Sequence, residues 1–435
     1  MKISKGHNIP AAGLVAPIIS NIGVWFFALF LFAGYFKADD RLAFVQERID
    51  ITLLLLSISV LVFLYQMIRN SFNLLIPCGF IWSALLFLLL GAIFIAGLLH
   101  TQNTHYGLDK TMRFIFLTGW AFFGAVFFVT DFLSLKHFSW AVVAISTAMA
   151  IDALLSYSMG QVTFVTSLGS NYIALARATG LGLLTIVAFL LPAKQNIAVR
   201  FVLCFLATLN LFAALASGAR GPVIALIISM VLFFLLSIHG FPRLRVERFV
   251  FKLGVVALLA GILLAVAGQE LFPTLAYRYQ ILLTEVGDSA ATRLSFYQVA
   301  FDQWAKSPLW GGGTGQFGAA VTGEDVRLYP HNIFLELGAE TGLLGVLVFT
   351  TLVCHSFIKG LICMYKRKSS FRISCRYLLV AFCFLLVNAM VSGDINDNRM
   401  LFCFITLLVA TNRFDSIRTN SLCRKSMPRD QLSGR

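Results

Sequence analysis

Apolar positions in this chain run in long unbroken stretches rather than alternating or recurring on one face. A helix rising 1.5 Å per residue needs about 20 such residues to cross a bilayer. Stretches of that order fall at 15–36, 50–68, 73–99, 112–134, 139–159, 172–191, 199–217, 222–238, 251–269, 342–362, 377–393 and 399–412. They predict an all-α polytopic membrane protein of about 12 transmembrane helices. A transmembrane β-barrel would show short alternating segments instead. The longest polar interval, 270–341, predicts one large loop outside the bilayer, and 413–435 reads as a basic tail. Residues 1–435 otherwise form a single integral membrane domain without internal repeats. Lys2 and Lys5 precede the first apolar run, which reads as a retained signal anchor because it is long and lacks a small-residue cleavage site.

Composition agrees with this pattern: 59% of residues are hydrophobic and 12% charged, far from the balance of a soluble domain. The net charge of +14 changes meaning once it is sorted by side. Lysines and arginines gather on the loops that share a side with both termini, at Lys2, Lys5, Arg69, Lys136, Lys194, Arg243 to Lys252, Lys359 to Arg376 and the tail from Arg413. By the positive-inside rule both termini are cytoplasmic and the 270–341 loop faces outward. The charge is therefore an orientation signal, and no nucleic-acid partner is expected. The 8 cysteines lie in spans or on the cytoplasmic side, so neither disulfides nor a zinc site is expected.

Chemistry concentrates on the outer side. In residues 291–306, Leu294, Tyr297, Phe301 and Trp304 recur at helical spacing, predicting an amphipathic helix on the membrane surface or against the bundle, with Arg293 near its start. The glycine-rich stretch 311–318 formally matches a dinucleotide fingerprint but lacks the preceding strand, so it is read as a flexible turn. Tyr329-Pro330-His331-Asn332 then leads into a helix whose positive end would lie beside His331. Ionisable residues at span edges are functional candidates by default, and Asp152, Arg177, Arg220 and Asp394 all map toward the outer leaflet. Asp394, Asn396 and Asn398 imitate the start of a calcium loop, but Arg399 replaces the turn glycine and Ile405 the closing acid. No metal or other cofactor is expected. A phosphate-bearing substrate would be neutralised by arginine, whose permanent charge and forked donors suit that task.

The order of these motifs resembles the O-antigen ligase and polymerase superfamily. The resemblance rests on SGARG at 217–221, Arg293 to Tyr297 with Lys306-Ser307-Pro308 and a glycine turn, His331-Asn332 with Glu336, Glu340 and Gly342, and Ser392-Gly393-Asp394. It implies a metal-independent, inverting glycosyltransferase of lipopolysaccharide biosynthesis, acting at the periplasmic face of the bacterial inner membrane. The donor would be a glycan on undecaprenyl pyrophosphate. The acceptor would be lipid A-core for a ligase, or a second lipid-linked repeat for a polymerase. Carried over by motif, Arg220 and Arg293 hold the pyrophosphate, His331 is catalytic, Asp394 supports it, and Asn332, Glu336, Arg399 and Arg177 are further supporting residues. Ligase is the preferred reading and polymerase the alternative. A secondary transporter also fits the span count, but it would show repeated halves and charge near the bilayer midplane.

The chemistry of the residues fits that implication. Two arginines would stabilise the charge developing on departing pyrophosphate, and a histidine suits deprotonation of a sugar hydroxyl near neutral pH. Nearby arginines and a helix N-terminus are expected to keep His331 neutral. It could act either as a base or by orienting the acceptor.

Overall fold

The computed structural model describes residues 12–69, 77–158, 165–193, 195–238, 288–366 and 369–411. The chain is helical throughout these residues, with no strand among them. In chain order the helices are α1 (Ala12–Phe32), α2 (Ile51–Arg69), α3 (Cys78–Gly97), α4 (Thr104–Phe128), α5 (Phe132–Ser158), α6 (Tyr172–Leu190) and α7 (Ile197–Ala216). They continue with α8 (Arg220–Ile238), α9 (Asp288–Lys306), α10 (Phe317–Thr322), α11 (Ile333–Lys366), α12 (Ser369–Ala389) and α13 (Arg399–Ala410).

Nine helices among the described residues are long and apolar enough to cross a membrane. Each coincides with one of the twelve expected stretches. Two more stretches, the first and last, form shorter apolar helices, Ile22–Tyr35 and Arg399–Ala410. The expected span 251–269, the beginning of the 270–341 loop and the tail 413–435 lie outside the described residues.

Helices α4, α5, α11 and α12 begin earlier than hydropathy places them, and two of these, α4 and α11, shape the site. The fourth starts at Thr104 and not near 112, because its polar first turns are buried against protein instead of lipid: Tyr106, Lys110 and Thr111 are all buried. The tenth expected span begins at Ile333 and not near 342. Asn332 caps it, its side chain accepting from the amides of Phe334 (3.0 Å) and Leu335 (3.2 Å). The helix then breaks direction at Gly342, whose φ of 64° a side chain rarely adopts. A Cβ there would also strike the backbone of Leu309, so the kink is sealed by the preceding loop, and the Leu343 amide donates to Pro308 at 2.8 Å. Residues 333–341 thus form a short buried arm that precedes the membrane-spanning part.

The bundle is packed with aromatic rings. Phe87, Phe94, Phe114 and Phe122 stack in a continuous row between α3 and α4, with centroids 4.5–5.0 Å apart, and Phe402 of α13 meets Phe87 and Phe114 edge-on. The phenylalanines of this row pack helix against helix and do not line a lipid groove. Helix α13 lies in this core, packed on α4, α11 and α12.

Helix α9 packs on α11, and its expected apolar stripe is divided between the bundle and the outside. Ala300 and Gln303 are buried and Trp304 covers Gly338, while Leu294 and Phe301 are 64% and 60% exposed. One side of α9 therefore rests on the bundle, and the other offers apolar side chains outward, as an interfacial helix does.

Candidate active site

The beginnings of α4, α9 and α11 come together with the turn 392–398 at one end of the bundle. Its sharpest local feature is His331. The residue has a φ of +57°, one of two non-glycine residues with positive φ among those described. Such a backbone is held only where its surroundings over-determine it, and these positions cluster at functional sites. The imidazole is parallel to Phe296 of α9 (centroids 6.4 Å apart, 4° between planes) and meets Tyr329 edge-on at 4.7 Å. Its Nδ1 is buried without a hydrogen-bond partner.

Burial lowers the His331 pKa below its ordinary 6.5; the Arg293 charge lowers it further, and Asp394 opposes them. The expected neutral imidazole is therefore favoured first by desolvation, with arginine second. A neutral ring can accept a proton at pH 7. If transfer requires that form, activity falls as pH drops through a value below 6.5. Arg293→Gln removes a positive charge, so the acidic limb of the residual activity should move upward toward 6.5, whereas Arg293→Lys should leave it in place. A pH–rate profile of the two variants checks the sign.

Asp394 sits in the turn 392–398 between α12 and α13, 1% exposed. Its Oδ1 accepts from the Asp397 amide at 2.7 Å, and its Oδ2 pairs with Arg327 at 3.1 Å and lies 3.5 Å from the Tyr106 hydroxyl. Arg327 also bridges to Asp397 at 3.0 Å. The backbone of Asp394 is tied in turn by Asn398 Nδ2 (2.7 Å). Asn398 Oδ1 accepts a hydrogen bond from Arg177, which reaches the turn from α6. Arg177 is buried and braces this turn, with its Nε unpartnered. Arg399 places its guanidinium over Phe30, 5.6 Å from the ring centre, with Nη1 buried and unpartnered.

Below this turn lies a buried ion cluster that the sequence reading did not contain. Lys110 of α4, fully buried, bridges Glu336 at 2.6 Å and Glu340 at 2.7 Å, both on the short arm of α11. Glu336 Oε1 also accepts from the Ile395 amide at 3.3 Å, and the Lys110 carbonyl accepts from Asn396 Nδ2 at 3.0 Å. The Glu340 carbonyl accepts from the Gly313 amide at 3.0 Å, and that of Ala339 from Gly312 at 2.8 Å. One lysine thereby joins α4, the arm that follows His331, the Asp394 turn and the glycine stretch. The glycine stretch, expected as a flexible turn, is clamped: Gly311, Gly313, Thr314 and Gly315 are buried, and Thr314 Oγ1 donates to the Phe94 carbonyl at 2.8 Å.

Arg220 is the first residue of α8 and is exposed. Gly221 lets α8 approach Val391 so closely that an added Cβ would stand 2.8 Å from its side chain. SGARG is thus seated against the residue preceding Ser392-Gly393-Asp394. Asp152, by contrast, serves a separate contact, bridging Arg41 at 2.8 Å and holding the Leu168 amide at 2.8 Å. Among the described residues, no group of three or more His, Cys, Asp or Glu side chains is placed to hold a metal ion.

The structure brings Arg293 and Asp394 within electrostatic reach of His331, with Asn332 as the helix cap and Glu336 as an ion partner. Tyr106, Lys110 and Arg327 were missed. The available signal was the Glu336/Glu340 pair, four residues apart on one helical face at the edge of a span, which demands a buried cation from elsewhere. Residues 202–350 match the O-antigen ligase family, a stretch that contains Arg220, Arg293, Arg327, His331, Glu336 and Glu340. No curated protein matches the chain.

Proposed function

We propose that this chain, whose residues 202–350 match the O-antigen ligase family, transfers a glycan from undecaprenyl pyrophosphate to a sugar hydroxyl of lipid A-core. The reaction takes place at the periplasmic face of the inner membrane, with both termini and the 413–435 tail cytoplasmic and the 270–341 segment periplasmic. The observation that carries this reading is His331, held in a left-handed backbone between Phe296 and Tyr329, with Arg293 and Asp394 acting on its ring.

In this reading the acceptor hydroxyl gives its proton to the neutral imidazole as its oxygen bonds to the anomeric carbon. The anomeric carbon–oxygen bond to phosphate breaks, and undecaprenyl pyrophosphate leaves as an anion. A single displacement inverts the anomeric configuration. Arg220 and Arg293 hold the pyrophosphate and stabilise the charge that grows on it. Asp394, locked by Arg327, limits how far Arg293 and burial depress the His331 pKa. Arg220 is well placed for a lipid-linked donor. It heads a helix whose Ile224, Ile227, Ile228, Val231 and Leu235 are exposed, so a polyprenyl tail can stay in lipid while its headgroup meets the arginine.

Deleting the gene and analysing lipopolysaccharide together with lipid-linked glycan tests the assignment. The ligase reading predicts uncapped core with accumulated long lipid-linked polymer. Core bearing a single repeat would assign the polymerase activity instead, and normal capping would contradict both.

A further inference from the structure

A recess lies beside the glycine stretch and takes no part in the chemistry above. It encloses about 530 Å³ and is lined by His100, Ser307, Trp310, Gly311 and Gly312. Its floor is preformed: the Gly311 amide donates to Ser307 at 2.8 Å and the Gly312 amide to Ala339 at 2.8 Å. Trp310 is 58% exposed, an indole face open to a ligand. Behind the wall, the side chain of Gln303 lies against Gly312, in the room that a Cβ would fill. Gln303 is 9% exposed, yet neither its Nε2 nor its Oε1 has a hydrogen-bond partner. Gln303 backs the recess at Gly312 without lining it.

The lining selects the ligand. It contains no Lys, Arg, Asp or Glu, which disfavours phosphate or any other strongly charged group. It combines one open aromatic face with a hydroxyl and an imidazole, the mixture of apolar platform and few oriented polar groups that marks small-ligand sites. A sugar ring presents an apolar C–H face and a rim of hydroxyls, and so matches both halves. Helix α9 links the recess to the transfer centre: Phe296 stacks on His331, and Gln303 lies seven residues further along, roughly 10 Å at 1.5 Å per residue. We propose that this recess is a saccharide subsite, which grips a glycan a short oligosaccharide's length away from the transferred bond. The proposal rests on the glycosyl-transfer reading for its purpose, and the bound sugar belongs either to the donor glycan or to the core acceptor.

Titration calorimetry on the purified full-length protein tests it with two probes, delipidated core oligosaccharide and repeat-unit oligosaccharide freed of pyrophosphate. One of them should bind the wild type, and which one binds names the source. Trp310→Ala should weaken that binding about tenfold or more and Trp310→Phe far less, since stacking survives in phenylalanine. His100→Ala, at an exposed position, should also weaken it and guards against a folding defect in the Trp310 variant. Absence of binding by both probes, or equal binding by all variants, overturns the subsite. Trp310-dependent binding in a protein whose deletion leaves core capping normal would sink the ligase reading while leaving the subsite standing.

Discussion

His331→Ala lowers glycan transfer by roughly 10² to 10⁴-fold, the usual contribution of a positioned acid–base group, while the protein still inserts and purifies as wild type. The second half of that expectation follows from the contacts. The ring lies parallel to Phe296 and edge-on to Tyr329 but makes no hydrogen bond through its buried Nδ1, so its loss breaks no polar network. Alanine meets the same backbone strain at φ +57° that histidine already bears. His331→Asn separates the two roles open to the ring. Asparagine tolerates the left-handed region and can orient a hydroxyl, but it takes no proton at neutral pH. Loss of activity in both variants, together with loss of the acidic limb in residual Asn activity, identifies a base. Asn at near wild-type rates would assign orientation, and full activity in the Ala variant would remove His331 from the site.

The second large effect is structural and belongs to Lys110. Lys110→Met leaves Glu336 and Glu340 buried without their cation, which costs about 3–5 kcal/mol for a broken buried pair. It also loosens the arm that follows His331 and the turn that carries Asp394. Thermal unfolding of the purified protein should shift down markedly, with transfer lost in parallel. Replacing all three residues by uncharged groups of similar size, Lys110→Met with Glu336→Gln and Glu340→Gln, removes the buried charge along with its counter-ion and should recover much of the stability. An unchanged transition in Lys110→Met would mean that water or another cation already serves these carboxylates.

The two regions of the molecule were unequally legible in the sequence. Hydrocarbon demands continuous apolar runs, so the spans could be read from hydropathy wherever lipid is the neighbour. At α4 and α11 the neighbour is protein, and the polar turns 104–111 and 333–341 read as loop because their charges are cancelled across a sequence separation of 230 residues, from Lys110 to Glu340. No local pattern carries that pairing. Arg220 and Asp394 stood out because charge at a span edge is expensive and needs a reason, whereas Arg293 and His331 stood out by their motifs in the large loop. The same rule also flagged Arg177, which the fold spends on the Asn398 turn, and Asp152, which it pairs with Arg41. On α9 the apolar spacing did not say which positions would meet the bundle: Trp304 packs on Gly338 and Gln303 turns in, while Leu294 and Phe301 turn away.

The central claim is that this chain itself moves a glycan from a pyrophosphate-linked lipid to a core sugar, with arginine and histidine in the working roles. It is tested most directly in liposomes containing the purified protein, a radiolabelled undecaprenyl pyrophosphate glycan and lipid A-core acceptor, with a chelator of divalent cations present. The account predicts that label passes to the acceptor with wild-type protein, that the chelator leaves the rate unchanged, and that His331→Ala and Arg293→Ala stop the transfer. No passage of label with the wild type, or equal passage with the His331 variant, would contradict it.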